Sequence, residues 1–290
     1  MYNLHKEVNK IIGFAKTLNL KEKEFFGHNL FMISLLGSLF LLHILLSFLV
    51  IHTSLLTTII IILLNGHIIY FYLTVTVHEG THNLIFFSKV KKISNLLARS
   101  MYLLPILVGY PAFNIYKKDH FNHHIYVSEK EDPQNSSHLN FRKVLLFYST
   151  ARSSFSFKKI FEGTNLLIFI LFLLLKLLHL YLLYYFGGLL GLFIGFIIPF
   201  FIAALFNGIR ISFRHYNLYP NPKPLRSRSY TFLGSSIVAP LGLRFHFEHH
   251  LYPGIPSYRL YKVYNFVEKN CPKELVKKVH YKRFIWKDFW

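Results

Sequence analysis

The sequence is poor in cysteine and in acidic residues. Its 290 residues include one cysteine, Cys271, and 13 Asp and Glu against 33 Lys and Arg. A single thiol excludes a disulfide framework, a multi-cysteine zinc site and a cysteine-ligated iron–sulfur cluster. Any metal that the protein binds must therefore be held by nitrogen and oxygen ligands.

Charge of either sign is also scarce. Only 16% of the residues are charged, whereas 53% are hydrophobic and 18% aromatic, and an average soluble domain carries roughly 25% charged residues. The G-x-G-x-x-G fingerprint of dinucleotide-binding proteins and the C-x-x-C-H motif of covalent haem attachment are both missing from the sequence. This composition predicts a protein that has lipid for part of its solvent and no built-in redox cofactor domain.

Four apolar segments reach the length of about 20 residues that a helix needs to cross a bilayer. They are Leu30–Val50, Leu55–Val77, Asn165–Phe186 and Leu189–Phe206. The uncharged turns at 51–54 and 187–188 arrange them as two hairpins. We therefore predict an all-α integral membrane protein with four transmembrane helices, formed as a single domain over residues 1–290.

The cations lie almost entirely outside the predicted spans. Five Lys and Arg fall in residues 1–29, 12 in residues 78–164 and 15 in residues 207–290. The positive-inside rule places these three regions in the cytosol. The net charge of +20 is then explained by topology and anionic lipid rather than by nucleic acid, because no nucleic-acid-binding module accompanies it.

Three details of the apolar regions carry further expectations. Lys176 is the only cation inside a predicted span, where a charge must face the bundle interior or snorkel. Gly187, Gly191 and Gly195 recur every four residues and allow close helix contact. The apolar run Met101–Tyr110 is too short to cross the bilayer, so we expect it to be interfacial or re-entrant.

Histidine is the residue type that the sequence concentrates. Three runs contain eight histidines, namely H-E-G-T-H at 78–82, H-F-N-H-H at 120–124 and H-F-E-H-H at 246–250, and His215 precedes the last run. On a helix, offsets of three and four residues place side chains on one face. The predicted metal ligands are His78, His82, His120, His123, His124, His215, His246, His249 and His250.

Nine clustered imidazoles are more donors than one ion uses, since a structural zinc takes four ligands. We therefore expect two metals, and neutral imidazole suits iron, zinc, copper and nickel alike. Asp119, Glu79, Glu248 and Asn122 lie beside predicted ligands and are candidates for orienting them. The eight remaining histidines, including His280, are expected to be packed or solvated.

Other interpretations of the histidines remain open at this point. The first run satisfies H-E-x-x-H, in which Glu79 would be the general base of a membrane zinc protease. A metal transporter would need polar residues along the spans, and little beyond His43, His67, Lys176 and His179 is available. The carboxylate-bridged di-iron pattern fails, because Glu79–His82 is the only E-x-x-H element in the sequence.

The order H-x-x-x-H, H-x-x-H-H and H-x-x-H-H around two apolar hairpins resembles the membrane fatty acid desaturase superfamily, over about residues 30–260. Further similarity to the acyl-lipid desaturase branch lies in His78–His82, in Asp119–His124 with Glu131-Asp-Pro133, and in His246–Pro253 with Pro256 and Tyr258. This resemblance implies a four-helix membrane bundle with a cytosolic helical cap. It also implies two iron ions held almost wholly by histidine, with His215 as the ligand upstream of the third box.

The activity implied by the resemblance is O2-dependent insertion of a double bond into a fatty acyl chain, with no catalytic residues beyond the metal ligands. A lipid hydroxylase or a carotenoid ketolase of the same superfamily is the alternative. Electrons would come from a separate ferredoxin or cytochrome, docked on Lys117, Lys118, Arg226, Arg228 and the basic run Lys273–Lys287. We expect a multi-pass protein of a bacterial inner membrane rather than of the endoplasmic reticulum.

Overall fold

The computed structural model describes residues 2–101, 103–110, 114–134, 166–215, 218 and 221–283. These residues form two compact units. The span unit comprises residues 22–117 and 148–207, and the histidine unit comprises residues 1–21, 118–147 and 208–290. Residues 135–164 of the predicted cytosolic loop, Asn165 at the start of the third predicted span, and residues 284–290 lie outside the described residues.

The first predicted hairpin is present in the span unit. Helix α2 (Phe25–Leu49) and helix α3 (Leu55–Leu73) are joined by the 3-10 turn Val50–His52, and α3 continues through a π-helical turn, Thr74–Glu79. Both exceed the length needed to cross a bilayer, and both are strongly apolar. Large apolar side chains on both helices are exposed, such as Leu41 at 68% and Leu56 at 71%.

The third candidate span is a helical run of 50 residues, Leu166–His215, so the structure has three candidate spans where four were predicted. It consists of α6 (Leu166–Leu192), the π-helical turn Phe193–Ile197 and α7 (Ile198–His215). A straight helix of that length would measure about 75 Å, more than twice the hydrocarbon core of about 30 Å.

The chain folds back within this run, at the predicted turn. Gly188 has φ 58° and ψ −154°, which no α-helical residue adopts. A Cβ atom on Gly191 would lie 2.6 Å from the carbonyl oxygen of Leu183, whereas eight residues of straight helix would separate them by about 12 Å. The glycine at 191 thus permits the close helix contact that its spacing predicts.

Polar side chains connect the helices of the span unit. Asn65 on α3 donates through Nδ2 to the carbonyl of Gly195 (3.1 Å) and to Oγ of Ser47 (3.2 Å). Its Oδ1 accepts from Nδ1 of His43 on α2 at 2.8 Å. Because apolar helices gain little by excluding lipid from one another, such hydrogen bonds and close packing carry much of their association.

Lys176 faces protein and not lipid. It is 5% exposed, its Nζ lies 3.8 Å from the centre of the Phe196 ring and 3.2 Å from Nδ1 of His179. The 3-10 turn Leu104–Val108 ends at Gly109, where a Cβ would be 3.4 Å from Cε of Lys176. The short apolar run therefore packs against the helix that carries the intramembrane lysine.

The remaining α-helices and strands of the described residues are short. They are α1 (Leu4–Lys16), α4 (Lys91–Met101), α5 (Asn114–Tyr126), β1 (Ser229–Tyr230), α8 (Ser235–Val238), α9 (His246–Leu251), α10 (Leu260–Asn270), α11 (Lys273–Val279) and β2 (His280–Tyr281). In the histidine unit, α1 packs on α10, with Phe14 stacked on Phe266 at 4.2 Å. Strands β1 and β2 pair in parallel, with Ser229 opposite His280.

Gly66 on α3 offers a direct test of the helix packing. A Cβ there would lie 2.5 Å from Cβ of Ile202 and 2.9 Å from the carbonyl oxygen of Pro199. We expect Gly66→Ala to destabilise the protein by about 1–3 kcal/mol through overpacking, seen as a lower thermal unfolding midpoint in detergent. Gly37→Ala is the matched control, since a Cβ at Gly37 meets nothing within 4 Å. Equal midpoints for the two variants would contradict this packing.

Candidate metal centre

The histidine unit positions seven of the nine predicted ligands. The second box lies on α5 and the third on α9, as their spacing predicts, and His215 is the last residue of α7. Three elements that are far apart in the chain thereby present imidazole rings to one another. The group also includes the predicted upstream histidine, whose place was implied only by resemblance.

Four of these histidines form a compact cluster. One ring nitrogen from each of His123, His215, His246 and His250 lies within 4.8 Å of the other three. Nε2 of His215 is 3.1 Å from Nε2 of His123 and 2.9 Å from Nε2 of His246, and Nε2 of His246 is 3.0 Å from Nε2 of His250. Four convergent imidazole nitrogens are a donor set for a transition metal ion.

The outer ring nitrogens determine which atoms carry hydrogen. Nδ1 of His123 lies 3.0 Å from both carboxylate oxygens of Asp132, and Nδ1 of His215 lies 2.8 Å from the carbonyl oxygen of Arg226. Both acceptors lack a proton to give, so each Nδ1 must be the donor. In the neutral rings the two Nε2 atoms then carry lone pairs.

Two lone pairs that face each other at 3.1 Å repel unless a cation lies between them. A proton on one ring would relieve a single contact, whereas a metal ion can accept the lone pairs of all four rings at once. Burial also lowers the pKa of His246 and of His250 well below the usual range, with smaller contributions from nearby cationic groups. Neutral imidazole is the form that binds metal, so the residues of the cluster fit a metal ion.

A second group of histidines adjoins the first in the same unit. Nε2 of His124 lies 3.2 Å from Nε2 of His120 and 3.1 Å from Nε2 of His249. The ring of His124 is also 4.3 Å, centre to centre, from that of His250. The seven histidines therefore form two neighbouring donor groups, as expected for more than one metal.

His78 and His82 lie in the span unit, and their ring centres are 5.3 Å apart. His78 belongs to the π-helical turn Thr74–Glu79, where an α-helix was predicted; such turns are frequent at functional sites. Burial, with a smaller contribution from Lys117, lowers the pKa of His82 to about 3. Glu79 accepts from Nδ1 of His78 at 3.1 Å, which is the predicted orienting role.

Sequence reasoning missed the residue that orients His123. Asp132 is buried, and it also accepts from the backbone N–H groups of Ser128 and Gln134, both at 2.8 Å. The only sequence signal was the resemblance around Glu131-Asp-Pro133, which gave no role to the aspartate. The carboxylate lies nine residues from its partner, beyond the end of α5, so helical spacing could not reveal the pair.

Glu248 has a different role from the predicted one. Its carboxylate accepts from Oγ of Ser229 and from Nε2 of His280, not from a box histidine. His280 was expected to be an ordinary packed residue. Only the pairing of β1 with β2 brings it to the third box.

Apolar helices of spanning length, together with clustered neutral imidazoles, define a class of proteins: integral membrane proteins with a histidine-rich metal centre. Residues 53–282 match the family model described as fatty acid desaturase. This match covers most of the chain, and the chain belongs to that family, whose activity is that of oxygen-dependent oxidoreductases. A comparison with curated proteins gave no match.

Asp132→Asn tests the orientation of His123. The substitution keeps the shape of the side chain but removes the charge that holds Nδ1–H, and loss of such a partner typically weakens metal binding about 10–100-fold. Equilibrium titration of the metal-free protein with Fe2+ or Co2+ measures the change. Glu131→Gln, at the neighbouring exposed position, is the control. Equal affinity of the two variants would contradict the assigned role.

Proposed function

We propose that the protein is an O2-dependent di-iron desaturase that introduces a double bond into a fatty acyl chain at the membrane. The observation that carries this proposal is the convergence of imidazole lone pairs in a chain of the desaturase family. Family membership supplies the reaction class, and the donor set supplies a place for the metals that the class uses.

We propose iron as the metal and all nine predicted histidines as its ligands. His123, His215, His246 and His250 would hold one ion, and the other ion would take its ligands from the remaining five. Two bound iron ions would activate O2, which is the oxidant that takes up the two hydrogens of the acyl chain as water, together with two electrons from the separate carrier and two protons. Ligation by nitrogen alone agrees with the single, distant cysteine.

The protein's own residues prepare this chemistry in three ways. Asp132 and the carbonyl of Arg226 fix the tautomers of His123 and His215. Burial keeps the imidazoles of His246 and His250 neutral and keeps bulk water away from the reacting atoms. Arg226 further pairs with Glu129 at 3.1 Å, which ties the loop after the second box to the segment that supports His215.

The membrane arrangement is part of the proposal. The reversal at Gly188 supports two spans within the run Leu166–His215, which gives four spans in all and returns the chain to the cytosolic side. The three histidine boxes would then all lie on the cytosolic side. We propose a bacterial inner membrane as the location of the protein. Large apolar side chains around the helices, such as Leu189 at 67% exposure, meet the same lipid that provides the acyl substrate.

The metalloprotease interpretation of H-E-G-T-H receives no support from the site. The family match includes residues 78–82. The buried carboxylate of Glu79 is engaged with Nδ1 of His78, although a general base must present its carboxylate to a metal-bound water.

Comparison of lipids tests the proposed reaction. The chain is expressed in a host without such enzymes, and the fatty acids are profiled beside those of a His249→Ala control. New monounsaturated acyl chains are expected only with the unmodified chain, because removal of a ligand should abolish turnover. Hydroxylated acyl chains would show that the enzyme is a hydroxylase and not a desaturase, and ketocarotenoids in a carotenoid-producing host would indicate a ketolase. Unchanged lipids in both hosts would overturn the proposal.

We further propose that an acidic ferredoxin or cytochrome docks on the basic face of α11. Lys273, Lys277 and Lys278 are exposed there. Arg228, which was predicted as part of this dock, is only 4% exposed and lies over the ring of Tyr281, so it belongs to the interior.

The docking proposal predicts a dependence on salt. Surface charges steer association most strongly at low ionic strength, so turnover with limiting carrier should fall severalfold between about 10 and 200 mM salt. Lys277→Glu/Lys278→Glu should lower the rate at low salt and flatten the dependence. The matched control is Lys23→Glu in the 3-10 turn Glu22–Glu24, which precedes α2. A turnover rate that does not change with salt concentration would overturn the docking proposal.

A further inference from the structure

The third histidine box lies on a very short helix. Helix α9 has six residues, His246–Leu251, and its first turn has no side-chain cap. A helix of this length is not stable by itself, because nucleation is costly and few hydrogen bonds follow it. Yet it presents three of the predicted metal ligands, so other contacts must determine its rotation.

Those contacts are made on the face of α9 that points away from the ligands. Glu248 is two residues from His246, about 200° around the helix, and it is fully buried. Its carboxylate accepts from Oγ of Ser229, and Ser229 Oγ in turn accepts from the backbone N–H of Phe247 at 3.0 Å. Strand β1 thus holds both the side chain and the backbone of the box.

His280 completes this arrangement from the other strand. Its Nε2 lies 2.6 Å from Oε1 of Glu248, and its Nδ1 lies 2.7 Å from Oε1 of Glu268. The ring stacks on Tyr264 at 4.1 Å between centres. Since carboxylates accept hydrogen bonds, both ring nitrogens of His280 donate, which makes the ring a cation between two anions.

We propose that Glu248 and His280 are positioning residues that set the rotation of the third-box helix. They thereby aim His246, His249 and His250 at the metals. The inference rests on the proposed metal-binding role of the box. A charge-assisted pair that is fully buried and bonded at every oxygen permits one geometry only, which is what a six-residue helix needs in order to keep three rings in register.

The test measures metal binding by the full-length, metal-free protein in detergent. Glu248→Gln keeps the size of the side chain but removes the charge that pairs with His280. His280→Gln removes the imidazole ring that is hydrogen-bonded to both Glu248 and Glu268. Each variant should bind Co2+ about 10-fold more weakly, and the visible absorption of the bound cobalt should shift. The double variant should bind Co2+ no more weakly than the weaker-binding of the two single variants, because both substitutions break the same contact between Glu248 and His280.

Matched controls separate positioning from general destabilisation. Leu275→Ala removes a buried side chain from α11 without altering the hydrogen bonds of Glu248, and it should lower the unfolding midpoint while the cobalt spectrum is retained. Ser229→Ala removes the hydrogen bonds of Ser229 Oγ to Glu248 and to the backbone N–H of Phe247 but leaves the contact between Glu248 and His280 in place. It serves as the alternative variant if Glu248→Gln does not fold. Unchanged affinity and spectrum in the folded variants would overturn the positioning role. Failure of the unmodified protein to bind metal would instead overturn the proposed function.

Discussion

The structure depends on one unfavourable arrangement, in which imidazole lone pairs face one another inside the protein. Nε2 of His123 and Nε2 of His215 are 3.1 Å apart, and each ring has its proton on the opposite nitrogen, held by Asp132 or by the carbonyl of Arg226. A shared cation turns this repulsion into attraction. The hydrogen bonds from Asp132 and from the carbonyl of Arg226 fix the orientation of these buried rings, and this orientation suits a metal ion.

The supporting contacts come from segments that are remote in sequence. Asp132 follows the second box, Arg226 precedes the third, and His280 lies near the end of the described residues, where it meets Glu248. Asp132 and the carbonyl of Arg226 each accept a hydrogen bond from the ring nitrogen that points away from the cluster, and His280 contacts the face of α9 that points away from it. A hydrogen bond from the ring nitrogen that does not bind metal is the usual way in which proteins orient histidine ligands. It leaves the other ring nitrogen available for a metal ion.

The span unit shows a different balance of forces. Its helices are apolar on nearly every face, so burial of hydrophobic surface discriminates little between lipid and protein. Specific contact is provided by Asn65, which bonds to Ser47 and to the carbonyl of Gly195, and by glycines that allow backbones to approach. Lys176 is accommodated against the ring of Phe196 in the same interior.

The sequence by itself determined the membrane class, the first hairpin, the turn at Gly188 and the metal-ligand candidates, because apolar length and histidine spacing are local properties of a helix. Only the tertiary structure decided which imidazole rings converge and which groups orient those rings by hydrogen bonds on the side away from the cluster. Asp132, the carbonyl of Arg226 and the bridge from Glu248 to His280 have no signature in spacing, since each partner reaches its site through a loop or a strand pair. A hydrogen bond between distant segments exists only once the chain has folded.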